Sequence, residues 1–262
     1  MNEKFRLLNE SLKALDKDMF NLLILKGEAG FGKTHRTIDS LKNNGIDYEY
    51  VNAYVTPLKF YEILYKNRDK KVIVFDDVQS IDNPLIIGLL KSACWAVLDN
   101  QRTISYMTTS TQLEKIGLPD SFDFKANIIL IFNNEIPEYN PIISRGVQIE
   151  FNFNFKEKME IFREMEKEAN LDDEVLDYVE THCQAGVRNL SIRSLVILSN
   201  LKRGKFDFEM FAKEMFRGND EINLLIHLVS KSQSISEACD TWIAQTGHGR
   251  ATFFRIKKKL GL

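Results

Sequence analysis

Residues Gly27-Glu28-Ala29-Gly30-Phe31-Gly32-Lys33-Thr34 spell a complete GxxxxGK(S/T) phosphate loop, and the flanking sequence supplies the context such a loop requires. An apolar run from Phe20 to Leu25 precedes it, long enough for one buried strand, and His35 to Leu41 follows without Gly or Pro and suits a helix. In a strand–loop–helix of this kind the glycines let backbone N–H groups turn inward around a phosphate, and the helix N-terminus adds its partial positive charge. The pattern predicts a nucleoside triphosphate site. Gly27, Gly30 and Gly32 shape the loop, Lys33 reaches the β- and γ-phosphates, and the Thr34 hydroxyl ligates Mg²⁺.

A second element suits the first. Val72-Ile73-Val74-Phe75-Asp76-Asp77 is a short apolar run ending in two carboxylates. A buried strand that delivers acids at its C-terminal edge puts them where parallel α/β sheets bind ligands. Asp76 is expected to hold Mg²⁺ through the ion's water shell, because Mg²⁺ takes few carboxylates and keeps several waters. Asp77 is expected to orient or deprotonate an attacking water.

The 262 residues leave room for one α/β core plus small helical modules, and 44% apolar with 27% charged residues is ordinary for a globular chain. Strand-like runs at 20–26, 47–52, 71–75, 103–107, 127–132 and 147–151 alternate with helical ones at 33–43, 56–67 and 83–97. That alternation predicts a parallel sheet covered on both faces, the three-layer core of a P-loop NTPase. Phe5, Leu8, Leu12 and Leu15 at helical spacing predict an amphipathic helix over 3–17. Phe122 and Phe124 alternate with charge and suggest a strand at the sheet edge. From 155 the pattern is wholly helical, at 155–169, 172–183, 189–202 and 207–216. Arg217-Gly218-Asn219-Asp220 reads as a linker. The expected domains are 1–152, an N-terminal helix with the α/β nucleotide domain; 153–217, a helical lid; and 218–262, a small separate module.

Three cysteines, Cys94, Cys183 and Cys239, are an odd number without metal-ligand spacing and read as buried or idle thiols in a reducing compartment. The polar, amphipathic N-terminus is unlike a signal peptide, and no apolar run approaches the ~20 residues needed to cross a bilayer. The chain is expected in a cytoplasm and away from membranes.

Taken together, the ordered motifs resemble the AAA+ ATPase superfamily over about residues 20–216. The resemblance implies ATP as the nucleotide and hydrolysis as the reaction. It also extends to further positions. Ile128 to Asn133 resembles the sensor-1 strand, whose terminal Asn133 (with Asn134 as the adjacent alternative) positions the lytic water. Ile142-Ile143-Ser144-Arg145 resembles the segment that supplies an arginine finger to a neighbouring subunit, which implies a homo-oligomer, a ring or helical filament. Asn189 to Leu195 resembles the start of the sensor-2 helix, with Arg193, or Arg188, facing the γ-phosphate. Asn52 matches the polar residue that in some members holds the catalytic acid inactive until a ligand arrives. The family usually has Asp-Glu where this chain has Asp76-Asp77, so hydrolysis is expected to be slow. Bacterial replication initiators of the superfamily share the Asp-Asp pair followed, as here, by an apolar residue and Gln (Val78-Gln79). The segment around residues 89–134 resembles ATPases of bacteriophages and mobile elements, implying a bacterial or phage-infected host cell.

Toward the C-terminus, Ser234 to Ile243 reads as a capped helix, broken by Gln245-Thr246-Gly247-His248-Gly249, with a basic helix from Arg250 to Leu260. Helix, Gly-containing turn, basic helix is the helix-turn-helix pattern, and the tail Arg250-Ala251-Thr252-Phe253 onward resembles short Fis-type DNA-binding domains. From 231 to 262 six basic side chains face two acidic ones, on a chain whose net charge is −2. That local excess suits a phosphate backbone. Arg250 and Thr252 are expected to face base edges, and Arg255, Lys257 and Lys258 to meet phosphates. The expected function is a DNA-binding ATPase that assembles on or remodels DNA in replication initiation, helicase loading or transposition regulation. The alternatives are an ATP-driven protein remodeller with a protein client and a nucleotide-gated scaffold, each recruited through the C-terminal module. The chain has no GAFTGA loop, which disfavours a sigma-factor-dependent transcription activator.

Overall fold

Three apolar runs, Leu22–Leu25, Val72–Phe75 and Ile128–Ile131, are at most 2% exposed and form the centre of a five-stranded sheet. The computed structural model describes all residues except 1, 79–82, 96–101, 109–110, 134–140, 184–188, 217–219, 233 and 261. Asn134, Arg188 and most of the expected linker, Arg217 to Asn219, lie outside the described residues. The chain divides into two compact units, Met1–Asn152 and Phe153–Leu262.

In the first unit the elements run α1 (Glu3–Asp16), β1 (Leu22–Gly27), α2 (Lys33–Asn43), β2 (Tyr48–Val51), α3 (Pro57–Lys66), β3 (Val72–Asp76), α4 (Pro84–Cys94), β4 (Thr103–Ser105), α5 (Gln112–Lys115), β5 (Ser121–Asp123), β6 (Asn127–Phe132), a 3₁₀ turn (Ile143–Arg145) and β7 (Val147–Phe151). Helix starts follow local chemistry. Asn2 caps α1, Thr56 caps α3 ahead of Pro57, and Asn83 caps α4 ahead of Pro84, each side chain satisfying an orphan amide while proline takes a position that needs no donor.

The strand order is β2-β3-β6-β1-β7, every neighbouring pair parallel. Alternation splits the apolar runs between two faces. Leu22, Ile24, Ile73, Phe75, Ile128 and Leu130 join Phe60, Leu64, Ile86 and Leu90 of α3 and α4 in one core cluster. Leu23, Leu25, Val72, Val74, Ile129 and Ile131 therefore serve the other face, where α1 packs on β1 and β7 with α2 beside it; Phe5 of α1 meets Phe151 of β7 at 5.5 Å between rings. With both faces covered the strands have no reason to alternate polar and apolar residues. The fold is the expected α/β three-layer parallel sheet followed by a helical region.

The chain departs from the sequence reading at β4 and β5. The segment expected as a sheet strand over 103–107 is a strand only at Thr103–Ser105, and it pairs antiparallel with Ser121–Asp123 in a separate two-stranded sheet. Phe122 is thus on this ribbon, not on the edge of the parallel sheet. Only the central residue of each strand, Ile104 and Phe122, is buried, so the ribbon has one apolar face and caps the α3–α4 layer; Phe122 lies 5.2 Å from the rings of Tyr61 and Tyr65. Buried Arg102 holds its start by donating to the carbonyls of Ala93, Ala126 and Lys125.

The second unit is helical: α6 (Phe155–Glu164), α7 (Asp173–His182), α8 (Ile192–Arg203), α9 (Phe208–Met215), α10 (Asp220–Lys231), α11 (Ile235–Thr246) and α12 (Arg250–Lys259). Capping boxes open α6 (Asn154 with Glu157) and α8 (Ser191 with Ser194). The last three helices share a core of Leu225, Ala238, Cys239, Trp242 and Phe253. Cys94, Cys183 and Cys239 are free and buried, and burial pushes the Cys94 thiol to about 12 and that of Cys183 to about 11, as idle thiols require. Among the described residues no helix is long and apolar enough to cross a membrane.

Candidate nucleotide site

Strand β1 ends at Gly27, whose ladder partner is Phe151. Gly27 has φ +144°, and a Cβ there would stand 2.4 Å from the Phe151 carbonyl oxygen, so the loop can leave the sheet here only on a glycine. Gly30 and Gly32 follow at φ 80° and 77°. Gly32 is the N-cap of α2 but offers no side chain to cap it, and the first turn carries no acid. The amides at this helix end thus have no capping side chain, the arrangement that receives an anion.

Lys33 opens α2 and is only 4% exposed. Its ammonium donates to the Gly27 carbonyl (3.0 Å), the Glu28 carbonyl (2.7 Å) and Asn133 Oδ1 (3.2 Å). The cation is therefore stationed inside the loop, with the end of β6 beside it. The Thr34 hydroxyl donates to Asp76 Oδ2 at 3.0 Å. Asp76, the last residue of β3, is buried at 6% exposure. Gly27, Gly30, Gly32, Lys33, Thr34, Asp76 and Asn133, read from separate stretches of sequence, thus gather at the C-terminal ends of β1, β3 and β6.

The same carboxylate oxygen takes two further donors, the Tyr50 hydroxyl at 2.7 Å and Asn52 Nδ2 at 3.5 Å. The β2–β3 register pairs Tyr50 with Val74 and Val51 with Phe75, so Tyr50 and Asn52 share the face from which Asp76 points. Burial, then the bond to Asp76, raises the Tyr50 phenol above its usual range, keeping it a donor near neutrality. Tyr50 was not legible as a site residue. It belongs to no motif, and only the register of an edge strand brings it to Asp76. The donor set suits a hydrated Mg²⁺: one hydroxyl and one carboxylate already joined to each other, beside an anion-receiving helix end.

No family model matches the chain. The structure superposes on the RuvB Holliday junction branch migration motor of Thermotoga maritima with a TM-score of 0.53 at 14% identity, covering 97% of this chain and 84% of that one. A single-substitution variant of that motor gives 0.55 at 14% identity, over 99% and 87%. The fold is shared with this RuvB motor. In sequence the chain is 26% identical, over 230 residues, to an uncharacterized 36.7 kDa protein of Enterobacteria phage T4 encoded between nrdC and mobD, covering 76% of this chain and 69% of that protein.

Within this fold the remaining expected residues take distinct places. Asp77 is exposed, in the left-handed region at φ 52°, and its amide donates to the Ile131 carbonyl at 2.9 Å. The backbone turn therefore swings Asp77 away from the β3 direction that Asp76 continues. Arg145 closes the 3₁₀ turn before β7, partly exposed, and its guanidinium donates to the Pro141 carbonyl of its own turn. Arg193, on the second unit, is exposed in the first turn of α8.

The five basic-helix candidates all lie on α12. Arg250, its first residue, is exposed, pairs with Asp240 at 3.6 Å and lies over the Phe254 ring at 5.8 Å. Arg255 and Lys258 are exposed, while Thr252 and Lys257 are half-buried; the Lys257 ammonium donates to the Leu262 carbonyl. Phe253 on the same helix is fully buried against Trp242. Helix α12 thus has an apolar side seated on α11 and a basic remainder.

Proposed function

We propose that the chain binds and hydrolyses ATP with Mg²⁺, and that it uses the cycle to assemble on or remodel DNA as a homo-oligomer. The observation that carries the reading is the convergence of Lys33, Thr34, Asp76 and Asn133 on one end of the sheet. Lys33 and the α2 amides hold the phosphates, since a buried ammonium among backbone dipoles acts in a site of low dielectric. Thr34 and Asp76 would hold the Mg²⁺, which when bound would supply positive charge beside the phosphates. Asp77 takes a proton from the attacking water, Asn133 orients that water, and Arg193 is the residue that the family resemblance assigns to the γ-phosphate. Arg145, tied down by its own turn, serves the site of a neighbouring copy.

DNA as the partner is supported by the basic part of α12 and by the fold, which RuvB, a Holliday junction branch migration motor, also has. The relative in phage T4 supports a phage or phage-infected bacterial setting. The domain reading 1–152, 153–217 and 218–262 accompanies this proposal, with α10–α12 as a helix-turn-helix unit.

Filter binding of labelled duplex DNA, with and without ATP–Mg²⁺, tests the proposal. The parent is expected to retain DNA better with ATP–Mg²⁺, and Lys33→Ala to lose both nucleotide binding and that gain. Absence of DNA retention at low salt makes the protein-remodelling alternative the better reading; tight ATP binding by Lys33→Ala overturns the phosphate-loop assignment.

A further inference from the structure

Asp76 Oδ2 accepts from three donors, and the shortest of those bonds comes from a residue outside the phosphate-loop pattern: Tyr50 at 2.7 Å, against 3.0 Å from Thr34 and 3.5 Å from Asn52. The phenol reaches Asp76 diagonally, since Tyr50 lies opposite Val74, two residues earlier on the same face of β3. A carboxylate oxygen offers two lone-pair sites. Thr34 and Tyr50 suffice to fill both on Oδ2, leaving Asn52 at the margin of hydrogen-bonding distance and Oδ1 for the hydration shell of a cation. A hydroxyl donating to a carboxylate is charge-assisted and roughly twice as strong as a neutral pair. The plane of the Asp76 carboxyl is thus set from two elements at once, the first turn of α2 and the end of β2.

We propose that Tyr50 is a positioning residue for Mg²⁺: it fixes the Asp76 carboxyl in the orientation that receives the hydrated ion. The inference rests on the reading of Thr34 and Asp76 as the Mg²⁺ pair. Partners that orient a metal-binding group typically contribute about 10–100-fold in metal affinity, which sets the size of the effect.

The test uses the full chain with Tyr50→Phe, which keeps the ring and removes the hydroxyl of a side chain that is 42% exposed. Binding of a fluorescent ATP analogue is measured in excess EDTA and then along a Mg²⁺ titration. The expected result is unchanged affinity in EDTA, with the Mg²⁺ concentration for half-maximal enhancement raised roughly 10-fold or more. An unchanged or lowered Mg²⁺ requirement overturns the inference. So does an equal loss of affinity with and without Mg²⁺, which marks a structural role only. A parent chain that binds the analogue with no gain from Mg²⁺ removes the Thr34–Asp76 reading and the inference together; where the parent gains normally, a failure of the variant to shift the titration counts against Tyr50 alone.

Discussion

Asp77 sits at φ 52°, a conformation that most side chains pay for and that Asp and Asn tolerate. Asp77→Asn therefore removes the charge without straining the backbone. ATP affinity should persist while turnover falls by roughly 10²–10⁴, the range of a lost general base; single-turnover hydrolysis measures it, and undiminished turnover moves the base elsewhere. At this scale the loop and the β3 acids were legible because each is contiguous: a loop pattern in eight consecutive residues, an apolar run ending in carboxylates. Tyr50 was not, because its role depends on which strand lies beside β3 and in what register. Hydrogen bonds across a ladder leave no trace in local sequence.

At the scale of elements, the central strands were legible because burial on both faces writes itself as an unbroken apolar run. The β4–β5 ribbon was misplaced because a three-residue strand with a single buried residue carries little periodic signal, and antiparallel pairing across the intervening α5 is a tertiary choice. The helical tail offers two checks. Gly247 ends α11 at φ 74° with open space around its Cβ position, so Gly247→Ala should cost about 1–2 kcal/mol from backbone strain alone, seen as a lower denaturation midpoint. Lys257→Ala with Lys258→Ala should leave α12 intact, Ala being the better helix former. DNA binding should weaken, its salt dependence flattening by about one unit for each phosphate that a lysine no longer neutralises. An unchanged slope places the DNA elsewhere.

At the scale of the whole molecule the question is how one site informs the next. If Arg145 completes the site of a neighbour, Arg145→Ala and Lys33→Ala should each be inactive alone and recover activity when mixed, at interfaces that join an intact loop to an intact arginine. A finger of this kind is worth on the order of 10³–10⁵ in rate, so even partial recovery is measurable by a coupled phosphate assay. No recovery despite proven co-assembly makes Arg145 structural. Within a single chain, the fit of Gly27 against Phe151 has a mechanical meaning. With no side chain at Gly27 to cushion it, the first peptide of the loop bears directly on the main chain of the last β7 residue. A backbone cannot rotate out of the way as a rotamer does. Strand β7 is therefore a fixed stop that sets how closely the loop may lie to the sheet, and any side chain at Gly27 has to lift the loop off it.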